Sequence, residues 1–123
     1  MNLILCVAGG GAVGSVLRYL LASSINRATG MQFPLGTAIV NVIGCFLIGL
    51  LYVWLIEGAG RPELRALLMI GVLGGFTTFS SFSLETVTLT MQGNYLGAAL
   101  NVCVSVLGCL AGTVLGISLA RHT

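Results

Sequence analysis

The chain has very few charged residues, and this scarcity limits the folds that it can adopt. Five Arg and three Glu are the only charged residues among 123, or 7% of the sequence. A soluble domain carries about 25% charged residues, because its surface must face water. So few charges cannot cover a water-exposed globule, and the lipid bilayer is the solvent that suits this chain. The charged positions are Arg18, Arg27, Glu57, Arg61, Glu63, Arg65, Glu85 and Arg121.

Long apolar stretches separate these charges and predict four transmembrane helices. Each stretch approaches the ~20 residues that cross a hydrocarbon core. The predicted spans are about 3–25, 33–56, 66–91 and 95–119, in a single transmembrane domain over residues 1–123. The short connections contain the Gly, Pro and Asn expected of loops. The predicted fold class is therefore an all-α membrane protein with four helices.

The remaining composition argues against several other classes of protein. The net charge of +2 is not gathered into a basic cluster, so no nucleic-acid partner is expected. Cysteines at 6, 45, 103 and 109 all lie inside predicted spans without CxxC spacing. We interpret them as small packing residues and not as disulfides or metal ligands.

The distribution of arginines leaves the orientation of the chain weakly determined. One side of the membrane would carry Arg61, Arg65 and Arg121, and the other Arg27, joined by Arg18 if its side chain reaches that way. Orientation normally follows an excess of Lys and Arg in cytoplasmic loops. This small difference predicts insertion in both orientations, and it permits an antiparallel, dual-topology homodimer.

Small and polar residues recur at helical spacing in three spans. Small-xxx-small patterns let transmembrane helices approach closely, so packing is the preferred interpretation of the glycines. The polar stripes have two interpretations, interhelical hydrogen bonding or a polar pathway. The glycine stripes are Gly10 with Gly14 and Gly108 with Gly112 and Gly116; the polar stripes are Thr37 with Asn41 and Asn101 with Ser105.

Arg18 lies deeper in its span than a loop charge would. A cation within a span usually faces the helix bundle or reaches the interface. It is expected to snorkel or to cap the C-terminal carbonyls of a neighbouring helix. Direct binding of an anion is the alternative interpretation.

The third span is too polar to face lipid on all sides. Nine of the fourteen residues in 77–90 have polar side chains: Thr77, Thr78, Ser80, Ser81, Ser83, Glu85, Thr86, Thr88 and Thr90. The pair Gly74–Gly75 is followed by Thr77–Thr78, which combines a weak helix former with side chains that compete for backbone hydrogen bonds. This combination predicts a break near the middle of the helix, where freed carbonyls suit a cation.

Phe79 and Phe82 share one helical face just beyond the predicted break. Core packing is the ordinary role of such a pair, yet the same face continues to the polar Glu85 and Thr86. An aromatic ring has a positive edge and a negative face, so the rings suit either an anion or a cation. The residues alone leave this choice open.

Three stretches resemble the signatures of a known family. They are "GGGAVGSVLRY" (9–19), "GTAIVNVIG" (36–44) and "GGFTTFSSF" (74–82), and they are similar in kind and order to those of the Fluc (CrcB-type) fluoride channels. The resemblance covers all four spans. It implies an antiparallel homodimer that conducts fluoride passively out of the cell across the cytoplasmic (inner) membrane, and it implies that the chain is not an enzyme.

The resemblance also implies roles for particular residues. A structural sodium ion would bind the backbone carbonyls of Gly74 and Thr77 between the subunits. Arg18 would match the signature arginine, and Glu85 would be a polar supporting position beside the pore. The implied fluoride pathway comprises Asn41, Phe79, Ser80, Ser81, Phe82, Thr86 and Ser105.

A small multidrug transporter is the strongest rival interpretation, because it also has four short spans and inserts both ways. Its proton-coupled export of cationic compounds needs a carboxylate in the membrane, which that family carries in its first span. Here the only charged residue of the first span is Arg18, so the carboxylate is missing from that position. Glu85 lies in a Thr-rich segment, which suits hydration better than a drug-binding pocket. A non-transporting assembly subunit would leave the polar third span unexplained.

Overall fold

The structure is a computed structural model that describes residues 2–30 and 32–123. Every regular element in these ranges is helical, and four helices are long and apolar enough to cross a membrane. This confirms the predicted all-α class with four spans. The helices are α1 (Leu3–Thr29), α2 (Leu35–Glu57), α3 (Pro62–Leu64, Arg65–Leu73 and Gly74–Phe76), α4 (Phe79–Met91) and α5 (Tyr95–His122).

The third span is interrupted between α3 and α4, as the Gly-Gly and Thr-Thr pairs predict. Thr77 and Thr78 have extended backbones, with ψ angles of 155° and 120°. The Thr78 hydroxyl accepts a hydrogen bond from the Ser81 N–H at 3.2 Å, and so caps the N-terminus of α4. Threonine at this cap satisfies a backbone donor that a helix start leaves free.

Glycines bring the backbones of paired helices into contact. On α1, a Cβ atom added to Gly14 would overlap the Val72 carbonyl oxygen of α3. On α5, one added to Gly116 would overlap the Phe46 carbonyl oxygen of α2. The main pairings are therefore α1 with α3 and α2 with α5, while α4 packs on α5. This confirms the packing interpretation of the glycine stripes.

Charged side chains join the ends of helices on one side of the bundle. Arg121 of α5 forms an ion pair with Glu57 at the end of α2. Arg65 donates a hydrogen bond from Nε to the Leu55 carbonyl at 2.7 Å. These contacts give partners to a backbone carbonyl and to a carboxylate at the end of α2. The last turns of α2, from Tyr52 to Glu57, are π-helical.

The outer faces of α1 and α5 are apolar and exposed. Ile4 and Leu5 near the start of α1 are 73% and 66% exposed, and Leu107 and Leu110 in α5 are 67% and 63% exposed. A continuous apolar surface of this kind suits lipid contact, since hydrocarbon chains solvate it without cost.

Close helix contact gives a stability prediction. Gly14→Ala should lower the free energy of unfolding by about 1–3 kcal/mol, because the added methyl group forces α1 away from α3. Gly9→Ala is the matched control, since no atom lies within 4 Å of its Cβ position. Unfolding in detergent titrations measures both variants; equal stability of the two would contradict this account of the packing.

Candidate functional site

The break in the third span is held by the side-chain amide of Asn41. Its Nδ2 donates to the Thr78 carbonyl at 2.9 Å, and its Oδ1 accepts from the Thr78 N–H at 2.7 Å. Asn41 is only 8% exposed, so these bonds replace the helical partners that Thr78 lacks. One N–H of the amide is used in this way, and the other remains for a further acceptor.

The end of α3 leaves other carbonyls near the break. Arg18 donates from Nε to the Gly75 carbonyl at 3.0 Å, which is the capping role expected from its depth in α1. Within the described residues, the carbonyls of Gly74 and Thr77 receive no hydrogen bond that crosses the break. The Cβ position of Gly74 faces open space. These two oxygens therefore have no backbone partner across the break among the described residues.

The two phenylalanines lie together on one side of the break. Their ring centroids are 5.3 Å apart and their planes are tilted by 53°. Phe79 is 77% exposed, so it is not a core residue of the single chain. Both rings line a cavity of about 330 Å³ with Asn41, Cys45, Thr77, Thr78, Ser105, Val106, Cys109 and Leu110.

A second, more polar cavity also borders Thr78. Thr37 of α2 donates to Glu85 Oε1 at 2.7 Å, while Glu85 Oε2 is buried and without a partner among the described atoms. Arg18 and Ser81 line the same cavity, whose volume is about 290 Å³. Thr78 lines both cavities, whereas Ser81 lines only the second.

Hydroxyl groups of α4 form a short chain of hydrogen bonds with α5. Asn101 donates from Nδ2 to the Thr86 hydroxyl at 2.9 Å, and Thr86 donates to the Phe82 carbonyl at 2.7 Å. Ser105 donates a long hydrogen bond of 3.5 Å to Asn101 Oδ1 and also lines the phenylalanine cavity. The hydrogen of Thr86 is therefore engaged, whereas Ser81 accepts from Thr78 and keeps its own hydrogen.

The structure thus brings most of the residues singled out from the sequence to one region around the break. Ser80 belongs to it through its contact with the Thr78 hydroxyl at 3.2 Å, although its side chain is exposed. The roles of these residues in ion binding stay predictions. The predicted site does not include three residues that the structure places in this region, namely Thr37, Thr78 and Asn101. The signal for Thr37 and Asn101 was present, since each lies four residues from a predicted site residue on the same face.

Fold and site together define a class: a small four-span membrane protein with a polar, interrupted helix at its centre. The family model described as "CrcB-like protein, Camphor Resistance (CrcB)" matches residues 5–117. The chain belongs to this CrcB-like family. The match favours the channel interpretation over the small multidrug transporter.

Relatives named "Fluoride-specific ion channel FluC" match this chain along nearly its whole length. One from Geobacter sulfurreducens is 52% identical over 127 residues, and one from Coxiella burnetii (strain Dugway 5J108-111) is 49% identical over 124 residues. Both alignments cover 99% of each chain. A relative from Shewanella baltica (strain OS185) is 46% identical over 116 residues and covers 94% of each.

The Asn41 amide gives a prediction about the break. Asn41→Leu leaves the N–H and carbonyl of Thr78 without partners, at a cost of about 1–3 kcal/mol for each buried group. Hydrogen exchange followed by mass spectrometry should show faster exchange in residues 74–81. Ile43→Leu, on an exposed position of the same helix, should leave exchange unchanged. Equal exchange in both variants would show that Asn41 does not hold the break.

Proposed function

We propose that this chain forms a fluoride-selective channel that lets fluoride leave the cell passively across the cytoplasmic membrane and so limits fluoride toxicity. The observation that carries this proposal is the near full-length similarity, at about half identity, to relatives named fluoride-specific ion channels. Their family is one of channels, and the proposed role is not enzymatic.

The chemistry around the break supports an anion pathway. Fluoride is small and strongly hydrated, so a pore must replace its water with donors at short range. The free N–H of Asn41 and the hydroxyl hydrogen of Ser81 are donors of this kind, and the hydroxyls of Ser80 and Ser105 would join them on releasing Thr78 and Asn101. The edges of Phe79 and Phe82 add positive potential without a full charge that would trap the ion.

Thr86 has a more indirect part in this pathway. Its hydroxyl hydrogen is bonded to the Phe82 carbonyl, and its oxygen accepts from Asn101. In this arrangement it orients the backbone that carries Phe82. To donate to fluoride, it would have to release that carbonyl.

Arg18 and Glu85 are proposed as supporting residues. Arg18 binds the Gly75 carbonyl and so holds the end of α3. Glu85 accepts from Thr37 and lines the same cavity as Arg18. The arginine charge offsets that of the carboxylate near an anion's route.

We also propose an antiparallel, dual-topology homodimer in the inner membrane. Two features support it besides the weak arginine bias. The exposed face of α4 carries Phe79 with Ser80 and Ser83, a partly polar surface that lipid does not solvate well. Phe79 lines the phenylalanine cavity and is itself 77% exposed, so a second chain packed on this face would also cover the cavity at Phe79.

A structural sodium ion at the dimer centre fits the oxygen atoms at the break. The carbonyls of Gly74 and Thr77 lack partners across the break, and open space adjoins Gly74. No cluster of three His, Cys, Asp or Glu side chains occurs in residues 2–30 and 32–123, so a cation would rely on backbone oxygens. Two carbonyls from each subunit would surround sodium, which would add positive potential between the pathways.

Fluoride flux from liposomes tests the channel and its pathway. The reconstituted protein should release fluoride, but not chloride, when a potassium ionophore shunts the voltage. Phe82→Ile and Asn41→Asp should abolish most of the fluoride efflux, because one removes a ring edge and the other adds a negative charge. Leu115→Ile, on the lipid-exposed face of α5, is the control that should conduct normally.

The outcomes of this experiment are distinct. Absence of fluoride efflux from the unmodified protein would refute the channel, and proton-coupled uptake of a lipophilic cation would support the rival transporter. Normal efflux in both Phe82→Ile and Asn41→Asp would refute the pathway residues while leaving the channel intact.

Sodium dependence gives a separate prediction. A ligand that binds only the folded dimer raises its stability as its concentration rises. The midpoint of thermal unfolding should therefore be higher in sodium chloride than in N-methylglucamine chloride of equal ionic strength. Identical midpoints over the whole concentration range would argue against the sodium site.

A further inference from the structure

An apolar groove, called here the α1 groove, lies between the second half of α1, the middle of α2 and the end of α3. Its volume is about 500 Å³. Leu73 and Phe76 of α3 line it and are buried, whereas Leu17 and Leu20 of α1 and Leu47 of α2 line it and are exposed. The α1 groove therefore has buried and exposed walls, and almost all of its lining is hydrocarbon.

The break in the third span explains why this groove exists. Gly10 and Gly14 of α1 meet backbone atoms of α3, and this close contact reaches the N–H of Phe76, where α3 ends. Beyond the break, α4 packs on α5 and not on α1. The second half of α1 therefore lacks, on this side, the helical neighbour that an unbroken third span would provide.

The α1 groove also faces away from α4. An α-helix turns by about 100° per residue, so Leu17, Leu20 and Ser24 lie on the flank of α1 roughly opposite Ser15 and Asn26. The latter two line the polar cavity together with residues of α4, whereas no residue of α4 lines the groove. A second chain that packs on the exposed face of α4 would therefore leave the α1 groove in contact with lipid.

A cationic side chain lies at the end of the groove that is nearer the membrane surface. Arg27 follows Ser24 on α1 by three residues, or about 4.5 Å along the helix axis. It is exposed and belongs to the last turn of a 27-residue helix, which is long enough to reach the water interface. The groove and the charge thus follow one another along a single flank of α1.

Arg27 has no acidic partner in residues 2–30 and 32–123. Neither of the two ion pairs found there includes it. The three carboxylates of the chain interact elsewhere: Glu57 with Arg121, Glu63 with Arg61, and Glu85 with Thr37.

We propose that the α1 groove binds one acyl chain of an anionic phospholipid, whose phosphate pairs with Arg27. Hydrocarbon fits the lining, since a void would forfeit dispersion contacts and water would find hardly any polar partner. Basic side chains beside grooves between transmembrane helices attract anionic head groups. A zwitterionic lipid offers the same chains, but its own cation offsets the attraction of its phosphate to Arg27.

Competition between two lipids tests the site in the unmodified protein. The purified protein in detergent is mixed with equal amounts of phosphatidylglycerol and phosphatidylcholine that carry identical acyl chains, and native mass spectrometry counts the lipids retained. Phosphatidylglycerol should be retained with a preference of about fivefold, as expected for one arginine near the membrane surface. Equal retention of the two lipids would overturn the proposal.

Substitution of Arg27 tests the head-group contact. Arg27→Gln should remove the preference for phosphatidylglycerol, while Arg27→Lys should keep it, because the positive charge remains. Arg61→Gln is the matched control, since Arg61 is an exposed arginine in the loop between α2 and α3, away from the groove. A preference that persists in Arg27→Gln, or that is lost equally in Arg61→Gln, would show that Arg27 does not select the lipid.

Filling the groove tests the position of the acyl chain. Leu20→Trp should lower the retention of both lipids, because the indole occupies part of the groove. Leu115→Trp, on the exposed face of α5, is the control that should retain them. Size-exclusion chromatography checks the folding and the oligomeric state of each variant.

Two results would contradict this placement. Equal lipid retention in Leu20→Trp and Leu115→Trp would exclude the groove. Dissociation of a dimer in Leu20→Trp with unchanged lipid retention would identify the groove as a contact between two copies of the chain. The comparison of Arg27→Gln with Arg27→Lys does not require Leu20→Trp to fold.

Stability provides a second measurement, because a ligand of the folded state raises the midpoint of thermal unfolding. Phosphatidylglycerol should raise this midpoint more than phosphatidylcholine does in the unmodified protein, and the two lipids should act equally in Arg27→Gln. An equal effect in the unmodified protein would contradict the proposal. These measurements do not involve fluoride, so absence of fluoride efflux would refute the channel and leave the lipid site intact.

Discussion

The fold depends on hydrogen-bond partners for the backbone N–H and carbonyl groups that the interruption of the third span leaves unpaired inside a membrane. Thr78 has left the helix, and hydrocarbon offers no water to replace the lost hydrogen bonds. Asn41 satisfies the N–H and the carbonyl of Thr78 with a single side chain. Arg18 binds the neighbouring Gly75 carbonyl from α1. The break is therefore held from two helices, and the position of everything beyond it, including both phenylalanines, follows from these contacts.

Close packing of glycines makes these long-range contacts possible. Gly14 lets α1 lie against the backbone of α3, which brings Arg18 within reach of Gly75 one turn further along. Gly112 and Gly116 likewise let α5 lie against the backbone of α2. Because lipid provides no hydrophobic drive between helices, backbone proximity and interhelical hydrogen bonds must hold the bundle.

The two cavities that border Thr78 differ in character. One is lined by the two phenylalanines, Asn41, Ser105 and the two threonines of the break, together with apolar side chains and two cysteines. The other contains Arg18 and Glu85 with several hydroxyls. The exposed Phe79 and the uncovered Gly74 show that the single chain leaves this region open, as expected if another surface completes it.

Local features of the sequence predict a membrane environment, four spans and the interruption of the third span. These follow from local facts, namely how many charges the chain has, how far apart they lie, and where Gly-Gly precedes Thr-Thr. Family motifs then indicated the site residues around the break. Which groups lie in contact at the break depends on how the helices pack against one another. Asn41 lies 37 residues from Thr78, Thr37 lies 48 from Glu85, and Arg18 lies 57 from Gly75. Periodicity places a residue on a face of its own helix, but the partner across the interface depends on the crossing and register of two helices. Those are determined by the sum of many weak contacts along both helices and by no single motif.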